Sequence, residues 1–236
     1  MRCAIMQPYF LPYIGYFQLI NSVDLFVLLD DVNYIKQGWI NRNWIWLDNA
    51  RSSITVSVQN ISSNRQIRDH MICDRSLWLN RLESKIDRAY SNSPNMSSVI
   101  EIAQVINMFA CPDLSVSGFN GKVLSAVCND LNIKTPIVFS SSLRDHPLPA
   151  YSGVIQLCEL LGCSEYVNMV GGRELYPVEE FSRCGIKLAF LYPNLAGYKM
   201  SGQHFEPGLS IIDFVAHRLT DTFNHLQPEK IEFVSS

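Results

Sequence analysis

No CxxC pair occurs among the seven cysteines (Cys3, Cys73, Cys111, Cys128, Cys158, Cys163 and Cys184), and their odd number argues against a disulfide framework. Set mostly among apolar neighbours, they read as reduced core residues. The histidines His70, His146, His204, His217 and His225 show neither HxxxH nor Cys/His spacing, so no metal centre is expected. No GxSxG elbow accompanies Ser140-Ser141-Ser142 and the following Arg144, Asp145 and His146, and sequence neighbours seldom form a hydrolytic triad. Polar residues interrupt every apolar segment well short of the roughly 18–20 residues a membrane span needs. Nor does a basic segment lead into a long apolar run at the start, so a cytoplasmic protein without membrane insertion is the expectation. Charged residues are sparse at 17% and net to −3, with a pI near 5.9. That balance disfavours broad binding to DNA or to an anionic membrane. Only Arg65, Arg68, Arg75, Arg81, Lys85 and Arg88 form a basic grouping, which a solvated helix face also explains.

What is present is an ordered globular composition, 47% hydrophobic over 236 residues, enough to bury a sizeable core as one α/β domain spanning 1–236. Cys3 to Met6 and Leu25 to Leu29 read as buried strands, and Gly15 to Ile20 between them has helical spacing. Strand–loop–helix–strand is the unit of a mainly parallel sheet with flanking helices. Ser52 to Val58 alternates like a further strand. Helices are expected at about 74–90, from Ser97 to about Phe109, and from Gly121 to Leu131, a helical insertion at about 74–131. Ile137 to Ser140, Tyr166 to Met169 and Gly185 to Phe190 read as strands, with helices at Tyr151–Leu161 and Val178–Arg183. A last helix starts near Ser210 with a capping-box-like Asp213, and the chain beyond it is expected to fray.

Polar residues cluster where the first two strands end. Gln7-Pro8-Tyr9 follows the first and Asp30-Asp31 the second, and parallel sheets bind ligands beyond such carboxyl ends. Pro8 and Pro12 stiffen the first loop, and Gly15 leaves room for close approach by a ligand or a neighbouring element. Gln7, Tyr9, Tyr13 and Tyr16 have polar ends that need partners when buried. Adjacent carboxylates repel unless a cation, donor or ligand satisfies them, and only one of Asp30 and Asp31 is expected to face a cleft. In Tyr34 to Ile45, Lys36 and Arg42 can neutralise an anion, Trp39 offers a stacking face, and Asn41 and Asn43 both donate and accept. A polar hairpin with Arg42 paired to an aspartate is the plainer alternative. Gly171-Gly172-Arg173 ends a later strand and suits either an anion or a simple turn.

QPYFLPYIGYFQLI (7–20), Asp24-x-FVLLDDVNYIK and Trp39-x-NRN, then YVNMVGGRELY (166–176), Phe181 to Ile186 and PGLSIIDFV (207–215), together resemble the WbqC-like protein family in order along nearly the whole chain. Asn33 stands where the family pattern has Gln, and Val215-Ala216-His217 where it has Asn-x-Gly. The resemblance implies a place in bacterial O-antigen or other surface-polysaccharide synthesis. It also implies modification of a nucleotide-linked sugar, by attaching an amino acid such as glycine to an amino sugar. Separately, Tyr13-Ile14-Gly15-Tyr16 at a helix start looks like the His-x-Gly-His signature of nucleotidylyltransferases, a Rossmann-like architecture. Tyrosines hydrogen-bond but carry no positive charge, which leaves phosphate binding open and adenylyl transfer in doubt.

These readings combine into a transferase acting on a nucleotide-linked amino sugar. Gln7, Tyr9, Tyr13, Gly15 and Tyr16 would form the floor, and Trp39 a stacking wall. Asp30 or Asp31 would be the general base. Lys36, Arg42 and the Gly172-Arg173 turn would hold phosphates or a donor carboxylate, and Asn41 and Asn43 would orient the acceptor. ATP is a possible cofactor; no metal or redox cofactor is expected. The partner is an acyl or amino-acid donor, a tRNA-borne one being an option, and the oligomeric state is open. The alternative is a non-catalytic protein that binds a sugar nucleotide or scaffolds the same pathway.

Overall fold

Alternation explains the central layer. In β1 (Arg2–Met6), Cys3 and Ile5 pack to one side of the sheet and Ala4 to the other, so both faces are apolar and both are covered. The computed structural model describes residues 1–195, 205–218 and 222–234. Chain order begins β1, α1 (Ile14–Asn21), β2 (Leu25–Leu28), followed by a hairpin of β3 (Arg42–Leu47) and β4 (Ala50–Thr55). Helices α2 (Leu79–Tyr90), α3 (Met96–Phe109) and α4 (Val116–Asp130) come next, all within the expected insertion. The chain then returns through β5 (Ile137–Phe139), α5 (Ala150–Leu161), β6 (Glu165–Met169), α6 (Val178–Arg183) and β7 (Lys187–Tyr192) to α7 (Ile211–His217) and β8 (Lys230–Val234).

The main sheet has the order β5-β2-β1-β6-β7-β8, parallel except for β8. The chain builds outward from β1 to β2 and β5, then crosses back to place β6 on the other side of β1. A doubly wound sheet reverses in this way at a topological switch point, and its crevice lies outside the carboxyl ends of the two strands that flank the reversal. Here those strands are β1 and β6.

One expectation shifts and another changes. The strand expected at Ser52–Val58 lies at Ala50–Thr55, and as β4 it pairs with β3 in a separate two-stranded ribbon. Its turn is Asp48-Asn49, both left-handed (φ 54° and 60°), the conformation that two-residue hairpin loops require. The tail after α7 also holds a strand. β8 alternates Lys230, Ile231, Glu232, Phe233 and pairs antiparallel with β7, and its charged side chains suit an edge.

Candidate functional site

The loop after β1, residues 7–13, is held by its own carbonyls. Tyr16 donates its hydroxyl to the Gln7 carbonyl at 2.7 Å, and Asn120 Nδ2 donates to Pro8 at 2.7 Å. Asn43 Nδ2 donates to Phe10 at 3.1 Å and to Leu11 at 2.6 Å, and Ser210 Oγ reaches Leu11 at 2.9 Å. The Ile211 amide donates to Pro12, and the Phe10 amide to the Trp39 carbonyl, each at 2.9 Å. Leu11 sits in the left-handed region at φ 42°, a conformation that a branched aliphatic side chain resists and the surrounding donors enforce.

Above the loop lies a cleft of about 220 Å³ lined by Tyr9, Pro12, Tyr13, Trp39, Asn43 and Gly208. Trp39 remains 43% exposed, unusual for so large an apolar ring unless it forms a wall. Gly15 serves Tyr13: a Cβ there would come within 2.5 Å of the Tyr13 ring, so glycine lets that ring lie across the start of α1. Burial, and then the neighbouring Tyr9, pushes the Tyr13 phenol up to about 12. Burial, and then Tyr176, raises Tyr9. Both are neutral hydrogen-bonding groups at physiological pH. Tyr9 follows β1 and Tyr176 follows β6, the two strands that flank the switch point. Gln7 stands on the β1 side with its Oε1 buried and without a donor among the described residues, a costly state unless something supplies one. A larger hollow of about 600 Å³ around Glu165, Gly185, Lys187 and Phe233 lies at the amino ends of β6 and β7, the end of an α/β sheet that does not carry ligands.

The carboxylates after β2 are closed in. Asp31 is 2% exposed and paired with Arg144, which reaches it through Nε at 2.7 Å and Nη2 at 3.1 Å. Ser140 Oγ donates to Asp31 at 2.6 Å and lies 3.2 Å from Asp30. Burial pushes the Asp31 carboxyl up, but the Arg144 and Ser140 hydrogen bonds and the Arg144 charge outweigh it and hold the group below its usual range. Asp30, 3% exposed, accepts from the Ser141 amide at 3.1 Å and the Ser141 hydroxyl at 2.9 Å, tying the end of β2 to the turn after β5.

The remaining residues separate. Arg42 donates to the Gln37 carbonyl and not to either aspartate. Lys36 is exposed. Asn41 Nδ2 binds the Val56 carbonyl at 2.9 Å across the ribbon. Asn43 spends both amide hydrogens on the loop, and its Oδ1 accepts from the Trp44 amide at 2.8 Å. Gly172 and Arg173 lie in a 3-10 turn (Val170–Leu175), from which Arg173 pairs with Glu232 of β8 at 3.0 Å and sits 5.5 Å above Phe190. Among the described residues, no lysine or arginine lines the cleft. His204 lies outside the described residues, among which no group of three or more His, Cys, Asp or Glu is placed to hold a metal ion. Sequence reasoning missed Asn120, Arg144 and Ser210 as supports of the site. A polar residue on the face of a helix that also carries Val116, Val123, Leu124 and Val127, as Asn120 is in α4, was the one usable signal.

A profile described as the WbqC-like protein family matches residues 7–225. Over 218 residues the chain is 29% identical to the uncharacterized protein Rv1507c of Mycobacterium tuberculosis (strain ATCC 25618 / H37Rv), covering 91% of this chain and 92% of that one. No solved structure matches.

Proposed function

This chain belongs to the WbqC-like protein family, associated with polysaccharide biosynthesis, and on that premise we propose a transferase that attaches an amino acid such as glycine to the amine of a nucleotide-linked sugar. The observation that carries the reading is the aromatic cleft beyond the end of β1, which no lysine or arginine among the described residues lines. Its volume is below the roughly 300–1,000 Å³ of sites that enclose a whole drug-sized ligand, so it suits a single ring. Tyr9, Tyr13 and Trp39 offer faces for the apolar side of a pyranose, while the two phenols hydrogen-bond its hydroxyls. The sugar amine must be neutral to attack the acyl carbon of the donor, whose carrier then leaves, and no carboxylate among the described residues lines the cleft to take the proton. In this reading Asp31 and Arg144 position the end of β2, Asp30 fixes the turn after β5, and Gln7 awaits a donor from the ligand.

The test is mass spectrometry of amino-sugar nucleotides incubated with the protein and glycine, with and without ATP, or with glycyl-tRNA. A product heavier by one glycyl group, lost in Trp39→Ala and Tyr13→Ala, supports the reading. Absence of product with every donor, alongside saturable calorimetric binding of the sugar nucleotide, would instead establish the second reading, a non-catalytic binding protein. The closed Asp30–Asp31 pair favours that second reading, because neither carboxylate is presented to a substrate.

A further inference from the structure

The β3–β4 ribbon borders a second, chemically opposite site. Ile54 and Val56 are buried, whereas Ser53, Thr55 and Ser57 alternate with them outward. These hydroxyls line a groove of about 270 Å³ together with Arg81 and Lys85 of α2, with Trp78 and Leu82 as its apolar side. Lys85 Nζ donates to the Ser53 carbonyl at 2.6 Å, which fixes the ammonium and leaves it further protons to donate. Arg81 makes no ion pair among the described residues. Cations four residues apart on a helix repel, and among the described residues no carboxylate lines the groove to offset them. The acids of α2 face the other way: Glu83 and Asp87 border the space between α2 and α3, where Asn107 donates to Glu83 at 3.0 Å. Arg88 is taken by Asp48 at 2.6 Å.

We propose that this groove binds a phosphate-bearing small molecule, its oxyanion held by Arg81 and Lys85 with hydroxyls of Ser53, Thr55 and Ser57. The Arg81 guanidinium suits two phosphate oxygens at once, and the hydroxyl row supplies neutral donors. A compact hollow on a chain of net charge −3 fits one phosphate group or a diphosphate better than a polyanion, which needs an extended basic stripe. Asn43, which lines the aromatic cleft, pairs with Ile54, which lines the groove, so the ribbon lies between the two sites. The proposal stands whether or not the transferase reading holds.

Inorganic pyrophosphate, inorganic phosphate and uridine diphosphate, titrated separately into the full chain and followed by calorimetry, test it. Pyrophosphate is expected to bind saturably, and Arg81→Gln to weaken it at least tenfold with the unliganded melting temperature unchanged, since Arg81 is exposed. Trp39→Ala should leave pyrophosphate affinity intact, which separates this site from the cleft. Equal affinity in Arg81→Gln, or no saturable binding to the unaltered protein at millimolar pyrophosphate, would overturn the proposal. Tighter binding of a single-stranded RNA oligonucleotide than of pyrophosphate, lost in Arg81→Gln, would assign the groove to nucleic acid instead and overturn it as well.

Discussion

The ends of β1 and β2 look alike as sequence and behave oppositely as structure. Both break an apolar run with polar residues. After β1, the backbone carbonyls are satisfied by Tyr16, Asn43, Asn120 and Ser210, and the side chains of Tyr9 and Tyr13 are left to line a cleft. After β2, the side chains themselves are consumed, Asp31 by Arg144 and Asp30 by the Ser141 turn. Strand-end polarity therefore marks where a site can be, and the origin of the hydrogen-bond partners decides whether one exists.

Breaking the closed end should have the largest effect. Arg144→Ala strands a buried carboxylate, and urea unfolding should show a loss of about 3–5 kcal/mol, largely recovered in Arg144→Met/Asp31→Leu. A loss below about 1 kcal/mol would mean that the ion pair does not hold the end of β2. At the open end, Asn43→Ala removes the donor from two loop carbonyls and should cost about 1–3 kcal/mol by the same assay. It should also abolish ligand-induced thermal stabilisation at the cleft. Trp39→Ala should shift stability by no more than about 0.5 kcal/mol, since the ring is half exposed. Sugar-nucleotide affinity measured by calorimetry should nonetheless fall roughly three- to tenfold. Unchanged affinity would move the ligand elsewhere.

The smallest effect expected is on pH dependence. Because the folded Asp31 carboxyl is held below its ordinary value of 3.8, its contribution is present above the unfolded pKa and is lost as pH falls through the folded one. Denaturant midpoints taken from about pH 5 downward should therefore decline less steeply in Asp31→Asn than in the unaltered chain. Equal slopes would show that another carboxylate governs acid unfolding.

Much of the architecture was legible because apolar runs and their breaks report directly on buried parallel strands. β1, β2, β5, β6 and β7 all lie where periodicity puts them, within a residue or two. The ribbon's independence was not legible, since alternation reveals a half-buried strand but not its partner. β8 escaped because a short charged edge strand resembles a solvated tail. At the site, Tyr9, Tyr13 and Trp39 were identifiable as aromatics with polar company. The fates of Asp31 and Arg173 were not, because Arg144 and Glu232 stand 113 and 59 residues away and only the fold brings them together.

The clamped loop also has a kinetic consequence. Its carbonyls are held by Asn43, Asn120 and Ser210, at separations of 32 or 33, 112 and 199 residues. Contacts so distant along the chain are paid for in loop-closure entropy and are slow to form. The sheet can assemble before them, but the cleft is complete only once the segment carrying Ser210 has docked. Hydrogen exchange should accordingly find this loop opening together with α7 rather than with β1, to which it is covalently joined. Any ligand of the cleft then stabilises the attachment of the C-terminal segment, making occupancy of the site a late seal on the folded chain.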